Sequence, residues 1–494
     1  MITEERGYMT QIAHIIPDNA KDIVFEFTRY GYKTYFVGGC VRDIILGRTP
    51  HDWDICTEAT PDNMQNLVAI MMQHEYGMEH HGIHKGKPYT RREIKSIPTG
   101  LQHGTLTIMI DNEAYEVTTF RCDGEYSDNR RPDNVTFTKN LDDDLARRDF
   151  TINAIAFSQF LGFIDPFNGM SDIENQIIRC VGNPNERFNE DGLRILRAIR
   201  FAAQLGFTIE EETSKAIHEN KHLLKNISRE RIQSELFKIL SSDGCGNAVL
   251  REYSDVLCVC IPEIEPMIGF QQNNPWHCFD VWEHTLHCMD FLGNKPNEYD
   301  DIITRLAVLF HDIGKPHCYI EDEQHIGHFY GHASTSTSLT EDILRGLKCS
   351  NDIINSVCEL VASHDVQFTS TKSAVKRLLN KLGETQLRRL FLVRMCDITG
   401  QNPTAADLND RQLKVICMFS ILNNIIQENE CFQLKDLAIN GKDLINHGIP
   451  EGKNIGIILN TLLTMVIDGE VENEKSKLLE MTDLIISQNI VKEY

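Results

Sequence analysis

Two aspartates one residue apart, Asp52 and Asp54, flank a tryptophan at the head of the apolar run WDICT. Alternate residues of a strand share a face, so the two carboxylates point the same way. They repel each other, and a hard divalent cation with oxygen ligands, magnesium above all, resolves that repulsion. Upstream, Gly38 and Gly39 stand just before VRDIIL. A glycine pair at the start of a helix lets backbone N–H groups come close to a phosphate, and the helix end favours the anion. A phosphate cradle beside a carboxylate pair suits nucleotidyl transfer, in which metal spans the attacking and leaving oxygens. On its own the DxD pattern also fits a solvated acidic loop, so its weight depends on its surroundings.

Those residues need a scaffold. Residues 33–157 read as mixed α/β, with KTYFV, WDICT, TLTIMI, YEVTTF and NVTFT as strands and VRDIIL as the start of a helix. From about residue 171 the pattern turns helical. DGLRILRAIRFAAQLGF carries Leu193, Leu196, Ile199 and Phe201 at helical spacing, RERIQSELFKIL repeats the pattern, and almost everything after residue 275 follows it. The polar stretch from His80 to Ile97 reads as a surface loop or insertion. The fold class expected is α+β, a mixed-sheet head followed by an all-helical body. At 494 residues the chain should hold about three domains.

Composition narrows the classes. The net charge of −23, from 49 basic and 72 acidic residues, argues against a uniformly basic nucleic-acid binder, though such a footprint is local. Fifteen cysteines include no CxxC pair, and Cys258 and Cys260 are the closest two. That pattern supports neither a zinc knuckle nor a disulfide framework, and a reducing cytoplasm is the expected home. The first twenty residues lack a signal-peptide core and no 18-residue apolar run occurs, so no membrane partner is expected.

The segments GGCVRDIILGRTPHDWDICTEATP, TGLQHGTLTI, YEVTTFRCDGEYSDNRRPDNVTF and LARRDFTINAIAF resemble the tRNA nucleotidyltransferase and poly(A) polymerase family of the DNA polymerase β superfamily. The resemblance implies that Gly38 and Gly39 hold a triphosphate and that Asp52 and Asp54 bind catalytic Mg²⁺. Arg42 and Asp43 shape the same site, and Glu116 is a candidate third carboxylate. RRDFTINA supplies Arg147, Arg148, Asp149 and Asn153 for ribose and phosphates. Adjacent arginines at a helix start are usually solvated, but a fixed guanidinium fork suits a triphosphate. DPFNG, a turn by composition, falls where the family has a hinge between head and neck.

RFNEDGLRILRAIRF resembles the family's base-selecting motif, here Glu190, Asp191 and Arg194. Asp191 and Arg194 are three apart on a helix and so share a face. Acceptors from one and donors from the other can meet the Watson–Crick edges of cytosine and adenine, while guanine and uracil would leave buried groups unpaired. Arg197 and Arg200 continue the row. ISRERIQSELFKIL, with Glu230, Arg231 and Glu235, is expected to brace the neck. The function implied is template-independent addition of CCA to the 3′ end of tRNA from CTP and ATP. CDGEYSDNRRPDNVTF resembles the flexible loop that the switch to ATP requires. The alternatives are a poly(A) polymerase, disfavoured by a C-terminus that is not basic, and a phosphohydrolase with a tRNA-binding head.

A second constellation follows. HCFDVWEHTLHCMD, LAVLFHDIGKP, FYGHASTS, LVASHD and RMCDITGQNP resemble an HD-type metal-dependent phosphohydrolase domain. The implied ligands of a divalent metal of unspecified identity are His284, His311, Asp312 and Asp397, with His332 and His364 for a second ion and Lys315 near bound phosphate. The tail, with GIPEGKNIG at a helix start, resembles the C-terminal tRNA-binding segment of such enzymes. The division expected is residues 1–157 for the head, 158–270 for the neck, 271–403 for the HD domain and 404–494 for the tail.

Overall fold

The computed structural model describes residues 15–78, 83–84, 87–88, 92–124, 134–242, 246–293, 298–367 and 369–487. The chain divides into two compact units, Met1–Ile239 with Glu252–Cys260, and Leu240–Arg251 with Ile261–Tyr494.

The first unit is built on a seven-stranded sheet. In chain order its strands are β1 (Thr34–Val37), β2 (Asp54–Thr57), β3 (Ile94–Gly100), β4 (Thr105–Ile110), β5 (Glu113–Thr119), β6 (Ala156–Ser158) and β7 (Gly162–Ile164). Their spatial order is β7-β6-β1-β2-β5-β4-β3. All neighbours run antiparallel except β2 and β5, whose parallel register sets Asp54 opposite Glu116. Between β4 and β5, Asp111 and Asn112 both take positive φ, as a two-residue hairpin turn that matches strand twist requires. Tyr35, Val37, Cys56, Phe120, Leu141 and Leu145 form a core against one face of the sheet. Burying each large apolar side chain of that kind contributes about 1.5–3 kcal/mol.

The helices of this unit that matter for the site are α1 (Asp18–Arg29), α2 (Gly39–Ile45), α3 (Leu141–Ala146), α4 (Pro184–Glu190), α5 (Leu193–Leu205) and α6 (Arg229–Leu240). α1 buries Ala20, Ile23, Val24 and Phe27, the spacing of one helix face. Three expectations are corrected here. Ile94–Gly100 is the sheet's edge strand rather than part of a loop, because Ile94 is buried against the sheet while its neighbours are polar. Of the remaining insertion, Ile83–His84 pairs with Lys87–Pro88, and the other residues lie outside those described. Arg147 and Arg148 follow the C-terminal end of α3 rather than opening a helix, since Asn140 caps the helix at its other end. The loop within CDGEYSDNRRPDNVTF lies outside the described residues, flanked by the paired strands Arg121–Asp123 and Val135–Phe137.

The second unit is helical. Its core helices are α7 (Val281–Asp290), α8 (Ile302–Phe310), α9 (His332–Gly346), α10 (Asn351–Ser363) and α11 (Glu384–Gly400), with α7 and α8 packed on α11 and α10 packed on α8 and α9. Towards the C-terminus, Ile439, Leu444, Ile458, Leu462, Leu478 and Ile485 close a separate small core. No helix among the described residues is long and apolar enough to cross a membrane, and the described cysteines form no disulfide with one another.

Candidate active sites

Trp53 explains the arrangement of the two aspartates. Its ring is buried edge-on against Phe36 of β1, with centroids 5.6 Å apart. With that side chain anchored, Asp52 and Asp54 on either side of it face solvent. β2 begins at Asp54, so Asp52 stands in the bend before the strand rather than on it. Crowding by the protein raises the Asp54 pKa, Arg148 opposes that, and the charge of Asp52 raises it further. Glu116 is raised by burial, then by Asp54 and Asp52. Carboxylates that push each other's pKa upward form a site that a cation relieves. The donor set of oxygens alone fits a hard divalent ion.

Gly38 holds φ at 80° in front of α2. A Cβ there would lie 3.1 Å from Arg148 Nη1 and 3.5 Å from Asp54 Oδ2. Only glycine keeps this conformation and this close approach without strain. The Gly38 turn, Arg148 and Asp54 thus meet around one small space.

Behind that space runs a chain of paired charges. Arg42 grips Asp43 through Nε and Nη2 and donates from Nη1 to Asn153 Oδ1 at 2.9 Å. Asn153 donates to Asp149 Oδ1 at 3.2 Å, and Arg197 donates to Asp149 Oδ2 at 2.8 and 2.5 Å. Burial alone would raise Asp149, but Arg197 and Arg194 bring it down to about 2. Asp144, fully buried at the end of α3, accepts from Arg147 at 3.0 and 2.8 Å and from Arg148 at 3.4 Å. The Phe201 ring lies near the guanidinium groups of Arg42, Arg197 and Arg200, at 5.1, 5.5 and 4.3 Å. Such contacts hold cations in place at about 0.5–2 kcal/mol each.

A pocket of about 260 Å³ opens among these groups. Its wall holds Arg147, Arg148, Arg194, Arg197 and Arg231 with Asp149 and Asp191. Arg148 Nε and Arg231 Nη1 are buried without a hydrogen-bond partner, so the wall carries spare donors. Asp191 and Arg194 both line it, but not as expected. Asp191 ends α4 in extended backbone, and α5 starts only at Leu193. The break is at Asp191 itself, since Gly192 is already back in helical backbone, packed so close to Leu223 that a Cβ there would sit 3.1 Å from Leu223 Cβ. The two side chains are therefore set by different partners. Arg194 lies 2.6 Å from Glu190 and donates to the Arg147 carbonyl at 3.0 Å. Asp191 accepts from the Leu193 N–H at 3.0 Å and from Arg231 Nη2 at 2.8 Å. Arg231 is thus at the pocket rather than a neck brace, whereas Glu235 does brace, 2.8 Å from Arg200. Asp144, Phe201 and the pocket role of Arg231 are what sequence reasoning missed. The basic and acidic residues of RERIQSELF were visible, but not the fold that brings Arg231 to Asp191.

In the second unit the six expected ligands do converge. His284 Nε2 lies 3.3 Å from both Asp312 Oδ2 and Asp397 Oδ1, and His311 Nε2 lies 3.2 Å from Asp312 Oδ2 and 3.8 Å from Asp397 Oδ1. Across the same carboxylate, His332 and His364 come within 3.4 and 3.7 Å of Asp312 Oδ1. Asp312 therefore stands between two histidine pairs. Each of the four rings donates Nδ1–H to a backbone carbonyl, of Gly400, Val308, Phe329 and Val361, and so turns Nε2 inward. That anchoring is characteristic of histidines that hold metals. Burial disfavours charge on His311, yet Asp312 raises its pKa to about 10, while Asp397 is held far below the usual carboxylate range by His284 and His311 despite its burial. Protons thus stand where a cation would. Lys315 lies 2.6 Å from Asp312 and donates to Gln272 at 2.8 Å. Among the described residues, the groups whose donor atoms all lie within 4.8 Å of one another belong to this cluster.

Comparison with known proteins covers both units. The family model for the poly A polymerase head domain matches residues 34–97 and 87–179. A model described as a probable RNA and SrmB-binding site of polymerase A matches 206–255, and one for a putative tRNA nucleotidyltransferase domain 2 matches 321–482. The CCA-adding enzyme of Lactobacillus helveticus is 32% identical over 443 residues, covering 90% of this chain and 91% of that one. The CCA-adding enzyme of Pediococcus pentosaceus is 33% identical, covering 94% of this chain and 96% of that one. Among solved structures, the Bacillus stearothermophilus CCA-adding enzyme in complex with CTP superposes with a TM-score of 0.64 at 27% identity, covering 95% of this chain and 98% of that one. The Thermotoga maritima CCA-adding enzyme complexed with tRNA shares the fold, with a TM-score of 0.57 at 19% identity and coverage of 96% and 97%. With a nucleotidyltransferase head, a carboxylate site on its sheet and relatives above 30% identity along nine-tenths of its length, the chain belongs to the family of CCA-adding enzymes.

Proposed function

We propose that this nucleotidyltransferase adds CCA to the 3′ end of tRNA from CTP and ATP without a template. The observation that carries the reading is the joining of the Asp52, Asp54 and Glu116 carboxylates to an arginine-lined pocket through Arg148 and the Gly38 turn. Gly38 and Gly39 leave room for the triphosphate, and Arg42, Arg147, Arg148 and Arg197 counter its charge. Asp149 and Asn153 sit where a ribose would be held. Asp191 and Arg194 present an acceptor and a donor to the base. Asp52, Asp54 and Glu116 would hold Mg²⁺, which when bound lowers the pKa of the attacking hydroxyl and screens the departing pyrophosphate. A tRNA substrate is consistent with a cytoplasmic enzyme. The functional division proposed is head 1–157, neck 158–270, HD domain 271–403 and tail 404–494, with the tail's helix from Lys453 to Asp468 offering its start to tRNA backbone.

The test is tRNA lacking CCA, supplied with CTP, ATP or both. CTP alone should add two residues and the mixture three, whereas long tails from ATP alone on generic RNA would mark a poly(A) polymerase. Asp52→Ala or Asp54→Ala should lower both additions by at least about a thousandfold, the scale of several kcal/mol of lost charge stabilisation. Thermal stability without magnesium should hold or rise, because one repelling carboxylate is gone. Near-normal addition by either variant would refute the assignment.

A second activity is supported by the four inward-facing histidines around Asp312: metal-dependent phosphohydrolysis. His284, His311, Asp312 and Asp397 would hold one divalent ion, and Asp312, His332 and His364 a second. Bound metal there would activate water and screen a phosphoryl group. Lys315, beside Asp312, is placed to meet a phosphate oxygen.

A further inference from the structure

Two adjacent arginines on the pocket wall, Arg147 and Arg148, share one carboxylate. Asp144, near the end of α3, has no exposure to solvent, and its two oxygens serve different partners. Oδ1 accepts from Arg147 Nε and Nη2 at 3.0 and 2.8 Å and from the Arg121 backbone N–H at 3.3 Å. Oδ2 accepts from Arg148 Nη2 at 3.4 Å. Arg147 has a second carboxylate in reach, Asp123 at 3.8 Å. Among the described residues, Arg148 pairs with no carboxylate other than Asp144.

The rest of the Arg148 guanidinium is left for other work. Its Nη1 is the atom that would stand nearest a Cβ on Gly38, at 3.1 Å, with Asp54 Oδ2 next at 3.5 Å. Its Nε is buried without a hydrogen-bond partner. A guanidinium is a rigid planar fork, so a grip on Nη2 also sets where Nη1 and Nε point. Burial works against the charge of Arg148, yet Asp144, first among its charged neighbours, raises its pKa above the ordinary arginine value. A cation held in this way loses little further freedom when an anion arrives, which favours binding.

We propose that Asp144 is a positioning residue for the triphosphate, holding Arg148 so that its free donors face the space beside the Gly38 turn. It touches no nucleotide itself and acts through the arginine. Its neighbour Arg147, held by the other oxygen, gives its backbone carbonyl to Arg194 Nη2 at 3.0 Å. One buried carboxylate therefore holds an arginine at the phosphate end and another behind the base-reading residue.

The unequal use of the two oxygens makes asparagine an informative substitution. Three donors converge on Oδ1, so the amide oxygen of an asparagine would stay there and turn its NH₂ towards Arg148 Nη2, donor against donor. Arg147 and the Arg121 N–H would keep an acceptor while Arg148 lost its own.

The inference rests on the nucleotidyltransferase reading of this site, and the experiment separates the two. Full-length Asp144→Asn is compared with the unmutated protein on tRNA lacking CCA, for the KM of CTP and for inhibition by cytidine, which carries no phosphate. KM should rise about ten- to a hundredfold, the range for one charge-assisted hydrogen bond, with inhibition by cytidine unchanged. In an Arg148→Ala background the same substitution should raise KM no further, because the two residues act as one unit. An equal loss of CTP and cytidine affinity, or a normal KM, overturns the positioning role. Because the variant can fail to fold, a crystal structure of the unmutated protein with CTP gives an independent reading. Arg148 is expected to keep its bond to Asp144 while donating to a phosphate oxygen, and an Arg148 that has left either partner overturns the proposal. Absence of CTP addition by the unmutated protein would instead overturn the reading of the site as a whole.

Discussion

In the proposed function, selection of the base falls to single atoms on the pocket wall. Asp191 and Arg194 are not paired with each other, so each keeps hydrogen-bonding capacity for a ligand while third parties hold it in place. Arg194→Lys should keep a positive charge near Glu190 but lose the planar fork, which is no conservative change at such a site. Discrimination of CTP and ATP against UTP and GTP should fall by about 10- to 100-fold, the scale of one or two buried hydrogen bonds. Arg231→Ala should act in the same direction, because it frees the Asp191 carboxylate to turn. The measurement is kcat/KM for all four nucleotides. An equal fall for every one of them would show these residues to be structural only.

At the scale of elements, Asp149 is the joint. It stands between α3 and the short turn Thr151–Asn153, yet its partners are Arg197 on α5 and, through Asn153, Arg42 on α2. Its pKa is lowered from 3.8 to about 2 against the pull of burial. A depressed carboxylate contributes stability that is fully present above its unfolded pKa near 3.9 and is lost as pH falls through the folded value. The shift is worth about 2 kcal/mol. The stability difference between wild type and Asp149→Asn should therefore be flat above about pH 5 and shrink steadily from pH 4 to pH 2, measured by urea unfolding. A difference independent of pH over that span would mean that Asp149 folds without its charge mattering. The same joint explains why RRDFTINA holds two arginines, an aspartate and an asparagine so close together. Arg147 and Arg148 lean back on Asp144, and Asp149 and Asn153 lean forward on Arg197 and Arg42.

Over the whole molecule, the two proposed chemistries use separate residues. Every head ligand and pocket residue belongs to the first compact unit, and every member of the histidine cluster belongs to the second. His311→Ala combined with Asp312→Ala should therefore abolish metal-dependent hydrolysis of 2′,3′-cyclic AMP and of a phosphomonoester while CCA addition continues within about twofold, since changes at sites with no shared partners act independently. Loss of both activities together would show the units to be coupled. Hydrolysis should also weaken as pH falls, because protons on His311 compete with the metal for the same nitrogen.

Resemblance to known families supplied the weight of the DxD site and the six candidate metal ligands, whereas local patterns in the chain were enough for the helical body and most strands of the head. Those features are local because strand alternation, helical spacing and glycine turns act over a few residues. Trp53 between two aspartates already implied one apolar and one polar face. What lay beyond reach depends on contacts between distant segments. The edge strand Ile94–Gly100 shows no strict alternation and contains Pro98, and only pairing with Thr105–Ile110 makes it a strand. The partner of the extended Asp191 is Arg231, and the pocket position of Arg231 depends on a helix 40 residues further on. A helical pattern tells which face is buried and not which residues it will meet, because partners are chosen by packing of whole surfaces rather than by neighbouring sequence.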